Sequence, residues 1–167
     1  MITSEYALIE RAVDFTMQHA DEAEARAVEN LQTGAANRDI NALRMVSMQR
    51  SIVAIGAIQA FEGVLQQHKG WGDTFGKLDR HLRATGYDEL ADRFVDYRDA
   101  INVLKHGHGR SYERLLAKRA ALPFTVKDRG QPFFDEGDVS EGLRLVDANR
   151  DFVCQCSAII KEIAAVL

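Results

Sequence analysis

Ile52-Val53-Ala54-Ile55-Gly56-Ala57-Ile58-Gln59-Ala60-Phe61-Glu62-Gly63-Val64-Leu65 is the stretch that decides the fold. Wound as a helix, it is apolar nearly all the way round, with only Gln59 and Glu62 interrupting. A bilayer span needs about 20 apolar residues, so this shorter, interrupted run is not a membrane segment. A helix apolar on every side has to be covered on every side, by other helices of a bundle or by a second copy of the chain. Gly56, Ala57, Ala60 and Gly63 leave room for such close contact, and a homodimer is the expectation.

Helical periodicity extends outward from this run. The same helix reads from Asn37, a plausible cap, to about Lys69, where Gly70 follows. Before it, Ile9, Val13, Met17, Ala20, Ala23 or Ala27, and Leu31 keep a helical period from about Ser4 to Thr33, with Gly34 as a stop. Residues 1–36 hold seven acids against two bases, which marks a solvated outer face. After a connector at Trp71-Gly72-Asp73-Thr74, Phe75, Leu78 and Leu82 predict a short helix ending near Thr85-Gly86, with His81 at its boundary. Leu90, Phe94, Tyr97, Ile101 and Leu104 then share one face of a helix from about Asp88, and Tyr112, Leu115 and Leu116 dock a short helix beyond it.

Both prolines, Pro123 and Pro132, fall between 121 and 138. There Phe124-Thr125-Val126 and Phe133-Phe134 flank Lys127-Asp128-Arg129-Gly130, as in a small hairpin or an ordered irregular excursion packed down by its phenylalanines. Asp135-Glu136-Gly137-Asp138 has the composition of a cation loop, but Asp138 with Glu141 fits a capping box for the last helix better. That helix carries Leu143, Val146, Val153, Cys156, Ile160, Ile163 and Leu167 along one stripe. The expected fold is all-α: an up-down bundle of about four to five main helices with a hairpin-like excursion before the last, in one domain spanning 1–167.

The chain of 167 residues is long enough to bury roughly 70% of its unfolded surface. Its net charge of −4 argues against binding nucleic acid over the whole surface, so any RNA contact has to be local. Cys154 and Cys156 point to different faces of a helix and cannot pair there, which implies reduced thiols and a cytoplasmic setting. The start, Met1-Ile2-Thr3-Ser4-Glu5, has neither the basic residues nor the apolar run of a signal peptide.

The unusual chemistry sits between Tyr97 and Tyr112. Arg98, Asn102 and His106 recur at i, i+4 and i+8, a ridge beside the apolar stripe. Burying each apolar side chain is worth roughly 1.5–3 kcal/mol, against about 0.2–0.5 kcal/mol for a polar i,i+4 pair. The stripe therefore sets the rotation of the helix and leaves the ridge at the edge of the core. Gly107 and Gly109 let the chain leave the helix, holding Lys105, His106 and His108 near its negative end, and Ser111 reads as the start of the next helix. From Arg98 to Arg119 six Lys or Arg face two acids, a local balance of +4. Two readings fit: cations capping a helix end, or a phosphodiester site that uses this patch, with Lys105, His108 and Arg110 as substrate contacts.

The chain lacks the Glu-x-x-His pairs of a di-metal bundle, zinc-type cysteine pairs, a phosphate loop of the Walker kind and a Gly-x-Ser-x-Gly elbow, so no metal or cofactor is expected. Arg98-Asp99 leading into Leu104-Lys105-His106-Gly107 resembles the signature helix of the HEPN superfamily. These are small helical bundles, many of them metal-independent ribonucleases of toxin–antitoxin and phage-defence systems. The family pattern is an Arg, commonly followed by Asn, Asp or His, then a His. Seven residues separate Arg98 from His106, more than the family's usual interval. The resemblance implies that Arg98 grips the scissile phosphate, that His106 moves a proton and that Asn102 orients one of them. It also implies RNA or a nucleotide as ligand, a homodimer that assembles the site, and a cognate antitoxin-type protein as partner. The alternative is a non-catalytic helical dimer or interaction module using the same basic patch.

Overall fold

The computed structural model describes residues 2–34, 37–131 and 144–167, with side chains from Glu5 onward. Six α-helices make up the described chain: α1 (Ile2–Thr33), α2 (Asn37–Lys69), α3 (Thr74–Ala84), α4 (Asp88–His106), α5 (Arg110–Ala117) and α6 (Arg150–Val166). A single turn of 3-10 helix, Arg119–Ala121, follows α5. The fold is an all-α bundle, as the periodicity implies.

Polar contacts fix the up-down order. Asn30 donates to Asp39 (3.0 Å) beside the first turn, Arg50 reaches Asp21 and Glu24 farther along, and His68 meets Glu5 at the far end, so α1 and α2 run antiparallel. Arg150 against Asp21 and Lys161 against Glu10 lay α6 antiparallel to α1. Arg93 with Glu162, and Tyr97 stacked on Phe152 at 5.2 Å, set α4 against α6.

The core forms where the apolar stripes meet. The Phe61 ring lies 5.5 Å from Tyr6, 6.3 Å from Phe75 and 6.0 Å from Phe94, tying α1, α2, α3 and α4 into one aromatic cluster. Leu90, Phe94, Tyr97 and Ile101 are buried together, as their shared face requires. Asp73 caps α3, accepting the Gly76 N–H at 3.3 Å, and Gly86 ends the following turn at φ 84°. His81 sits at the boundary with its ring 6.1 Å from Trp71.

Two expectations change. α2 is covered on one side only: Ala54, Ala57, Ile58, Phe61 and Leu65 are buried, while Met45, Met48 and Ile52 are 61, 60 and 62% exposed. The last helix starts at Arg150, where the Asn149 side chain accepts the Phe152 N–H at 2.9 Å. Val146, expected on that helix, instead pairs with Val126 in an antiparallel bridge. The Lys127 N–H donates to the Leu145 carbonyl and the Asp147 N–H to the Thr125 carbonyl, both at 3.0 Å. The segment around Phe124 thus pairs with the chain leading into α6. Phe133-Phe134, the Asp135-Glu136-Gly137-Asp138 run, the Asp138–Glu141 box and Leu143 lie outside the described residues.

A charge cluster bolts three helices together. Arg50, 7% exposed, donates to Glu24 (2.7 and 3.0 Å) and Asp21 (2.9 Å), and Arg150 donates to Asp21 at 2.6 Å. Burial alone would raise the Asp21 carboxyl, but hydrogen bonds from Arg150 and Arg50 outweigh it and hold the acid below its ordinary value. A depressed folded-state value means stability present above the unfolded carboxylate value, about 3.9, and lost as pH falls through the folded one. Chemical denaturation of Asp21→Asn should therefore show a weaker loss of stability between pH 5 and pH 2 than the parent; an identical acid limb in both proteins removes Asp21 from the linkage.

Candidate functional site

α4 presents its polar ridge beside a hollow bounded by α2 and α3. The hollow holds about 310 Å³. Ile58, Phe75 and Ile101 form its apolar floor, and Gln59, Glu62, Arg98, Asn102 and Lys105 its polar wall. Two of the three catalytic candidates, Arg98 and Asn102, thus share one site with Lys105. The burial of Phe94, Tyr97 and Ile101 places them there, since it turns the ridge toward the α2–α3 side.

The charge environment singles out Arg98. Many cations have carboxylate partners, such as Arg83 with Asp79 and Asp92, Arg93 with Glu162, Lys118 with Asp96 and Arg119 with Asp128, and Arg11, Arg26 and Lys77, which have none among the described residues, are exposed to solvent. Arg98 is half-buried, and among the described residues it has no hydrogen bond or ion pair. Lys105, His106, Arg110, Gln59 and Glu62 have none either. A partly desolvated guanidinium without a counter-charge is costly unless something else supplies one.

The +4 balance counted along the sequence shrinks in three dimensions. Arg114, Lys118 and Arg119 are neutralised by Asp99, Asp96 and Asp128, leaving Arg98, Lys105 and Arg110 as the free cations of the segment. Sequence reading missed the role of Asp99, which is 1% exposed. It accepts two hydrogen bonds from Arg114 (2.7 and 2.5 Å) and one from the Ser111 hydroxyl (2.9 Å). This carboxylate clasps α5 onto α4 and raises the Arg114 guanidinium further above its ordinary value through that hydrogen bond. Ser111 consequently does not cap α5; Gly109 occupies the cap, at φ 149°. The i, i+12 and i, i+15 spacings of Asp99 to Ser111 and Arg114 are not a local helical signal, so nothing in the pattern announced them.

The remaining candidates lie elsewhere. His106 ends α4 in solvent, two turns and more beyond Arg98, a rise of about 12 Å. It does not line the hollow. Gly107 follows at φ 71°, its N–H donating to the Val103 carbonyl at 2.8 Å. His108 turns to the other side, its ring 5.3 Å from Tyr112 and its Nδ1 3.4 Å from the Arg129 guanidinium. Asn102 places its amide 3.5 Å from the Ser111 hydroxyl, linking the hollow to the Asp99 clasp. Burial pushes the Tyr97 phenol up to about 12, so it keeps its proton at neutral pH, and burial likewise raises the Cys154 and Cys156 thiols above their ordinary value. Among the described residues no group of three or more His, Cys, Asp or Glu is placed to hold a metal ion, and no helix is long and apolar enough to cross a membrane.

The clasp has a measurable signature. Removing Arg114 strands the buried Asp99 carboxylate, so Arg114→Leu should lose about 3 kcal/mol, whereas Arg110→Leu, with no partner to strand, should stay within about 0.5 kcal/mol of the parent. Equal effects of the two substitutions in urea denaturation would show that the clasp contributes nothing.

A comparison with protein-family models gives no match, and comparisons with curated proteins and with solved structures give none either.

Proposed function

We propose that the chain is a HEPN-like helical domain that binds RNA through the Arg98 hollow and cleaves it without a metal ion, acting as a homodimer. The observation that carries this reading is the half-buried, partnerless Arg98 facing a hollow it shares with Asn102 and Lys105. A guanidinium grips a phosphate through paired N–H donors, and a phosphodiester would supply the counter-charge that the chain withholds. In this reading the His106 imidazole is the proton-transfer group. As a base it would take the proton of the ribose 2′-hydroxyl. The 2′-oxygen then attacks phosphorus, the bond to the 5′-oxygen breaks, and a protonated group returns a proton to that leaving oxygen, giving a 2′,3′-cyclic phosphate.

One copy separates Arg98 from His106 along α4, so the pair needs a second copy to converge. The open face of α2 supports such a dimer. Met45, Met48, Ile52, Gly56, Gln59 and Gly63 follow one another in steps of three and four, the spacing of a helix–helix seam, and Gln59 belongs to both the seam and the wall of the hollow. Leu8 of α1, 61% exposed, shares an apolar groove with Gly56 of α2 and widens that face. In this reading the protein works in the cytoplasm beside a cognate antitoxin-type partner that covers the active dimer. A second reading, a non-catalytic dimeric interaction module, is favoured by the one fact that His106 stands outside the hollow.

Cleavage assays on short oligoribonucleotides divide the two. Arg98→Gln and His106→Ala should each lower cleavage by roughly 10²–10⁴-fold with unchanged helical circular dichroism, and a 2′-deoxy substrate should resist cleavage. Full activity in both variants would eliminate the nuclease mechanism. Light scattering of the parent should give twice the chain mass, and Ile52→Glu, which sets two like charges at the seam, should give the monomer; a monomeric parent contradicts the dimer.

A further inference from the structure

The hollow is built for more than a phosphate. A site meant only to hold an anion would be lined with donors, yet this one presents the Glu62 carboxylate, an acceptor-only group with no partner among the described residues. Glu62 does not pair with Arg98 or Lys105, although all three line the same space. Beside it stand two carboxamides, Gln59 and Asn102, and behind them the partly exposed Phe75 ring, held in place by T-shaped contact with Phe94 at 5.1 Å. Acceptor, carboxamides and an aromatic floor are what an unpaired nucleobase needs: a face to stack on and an edge to bond.

We infer that the hollow binds a single unpaired nucleobase of the RNA, one bearing an exocyclic amino group, with Glu62 accepting from that amine. The inference rests on the RNA-binding reading above and names the substrate for it. At about 310 Å³ the space is at the small end of ligand-sized cavities, roughly 300–1,000 Å³, which suits one base with its ribose and not a base pair. Carboxylates accept from the amine of cytosine, and carboxamides bond the amine edge of adenine. Uracil has carbonyl oxygens where those amines would be, and they would meet the Glu62 oxygens acceptor to acceptor. Arg98 and Lys105, nearly two turns apart on α4, lie on the polar wall to take the phosphate attached to the bound nucleoside.

The test is fluorescence anisotropy of the full chain with 5′-labelled oligoadenylate, oligocytidylate and oligouridylate of equal length at one salt concentration, using His106→Ala to prevent cleavage. The expected result is binding of the adenylate and cytidylate about ten-fold tighter than the uridylate. In Glu62→Leu that preference should fall to about two-fold or less without weakening the uridylate, because the lost contact is made only to the amine. Arg98→Gln should instead weaken all three alike, as a phosphate contact does. Equal affinity of the three oligomers for the His106→Ala protein overturns the base assignment while leaving RNA binding intact. A preference that survives in Glu62→Leu overturns the role of Glu62, and failure to bind any of the three overturns the RNA reading itself.

Discussion

The rotation of α4 about its own axis is the constraint on which everything else depends. Phe94 reaches Phe61 and Phe75, Tyr97 reaches Phe124 and Phe152, and these contacts link α4 to α2, α3, α6 and the segment before the bridge. Aromatic pairs of this kind add about 0.5–1.5 kcal/mol each beyond the area they bury, so turning the helix by even one residue would break several at once. With the stripe held, Asp99 has to point toward α5 and Arg98 toward the α2–α3 side. Neighbouring residues in the sequence are thereby given opposite duties: the acid joins two helices, and the base is left facing a hollow.

That division explains how charge is used across the molecule. Arg50, Arg93, Arg114 and Arg150 each join one helix to another through a carboxylate. The other cations without a partner among the described residues, Arg11, Arg26, Lys77, Lys105 and Arg110, are exposed to solvent, and Arg98 differs from them in being half-buried. Arg98 is partly desolvated and unpaired, while Glu62, which could have neutralised it from the facing helix, keeps its own acceptor atoms free. Donors and acceptors without partners thus stand side by side in one hollow, and the proposed nucleotide site rests on that juxtaposition.

Much of the fold was legible because it rests on local periodicity. The stripe from Leu90 to Leu104, the stop at Gly34 and the short helix around Leu78 follow from spacings of three and four, the stops at Gly70 and Gly86 also from left-handed glycine conformations, and the structure has helices with those limits. What stayed hidden was long-range. The hairpin-like pattern around Phe124-Thr125-Val126 gives no sign that its partner is Val146, 20 residues on, because Val146 continues the helical spacing of Val153 and Ile160. The basic patch was overcounted for the same reason, since the carboxylates that neutralise Arg114, Lys118 and Arg119 sit from nine to 22 residues away. Arg98, Asn102 and Lys105 came together as their helical spacing implies; His106, farther along the same ridge, does not reach the hollow in one copy.

The central question is whether RNA meets the protein at the proposed Arg98 hollow. Ultraviolet cross-linking of the protein to a bound oligoribonucleotide, with the modified peptides read by mass spectrometry, addresses it directly. Adducts confined to α2 and α3 near Gln59 and Phe75, and to α4 between Arg98 and Lys105, are the predicted result. Adducts on the α1–α6 surface, or no adduct at any RNA concentration, would contradict it.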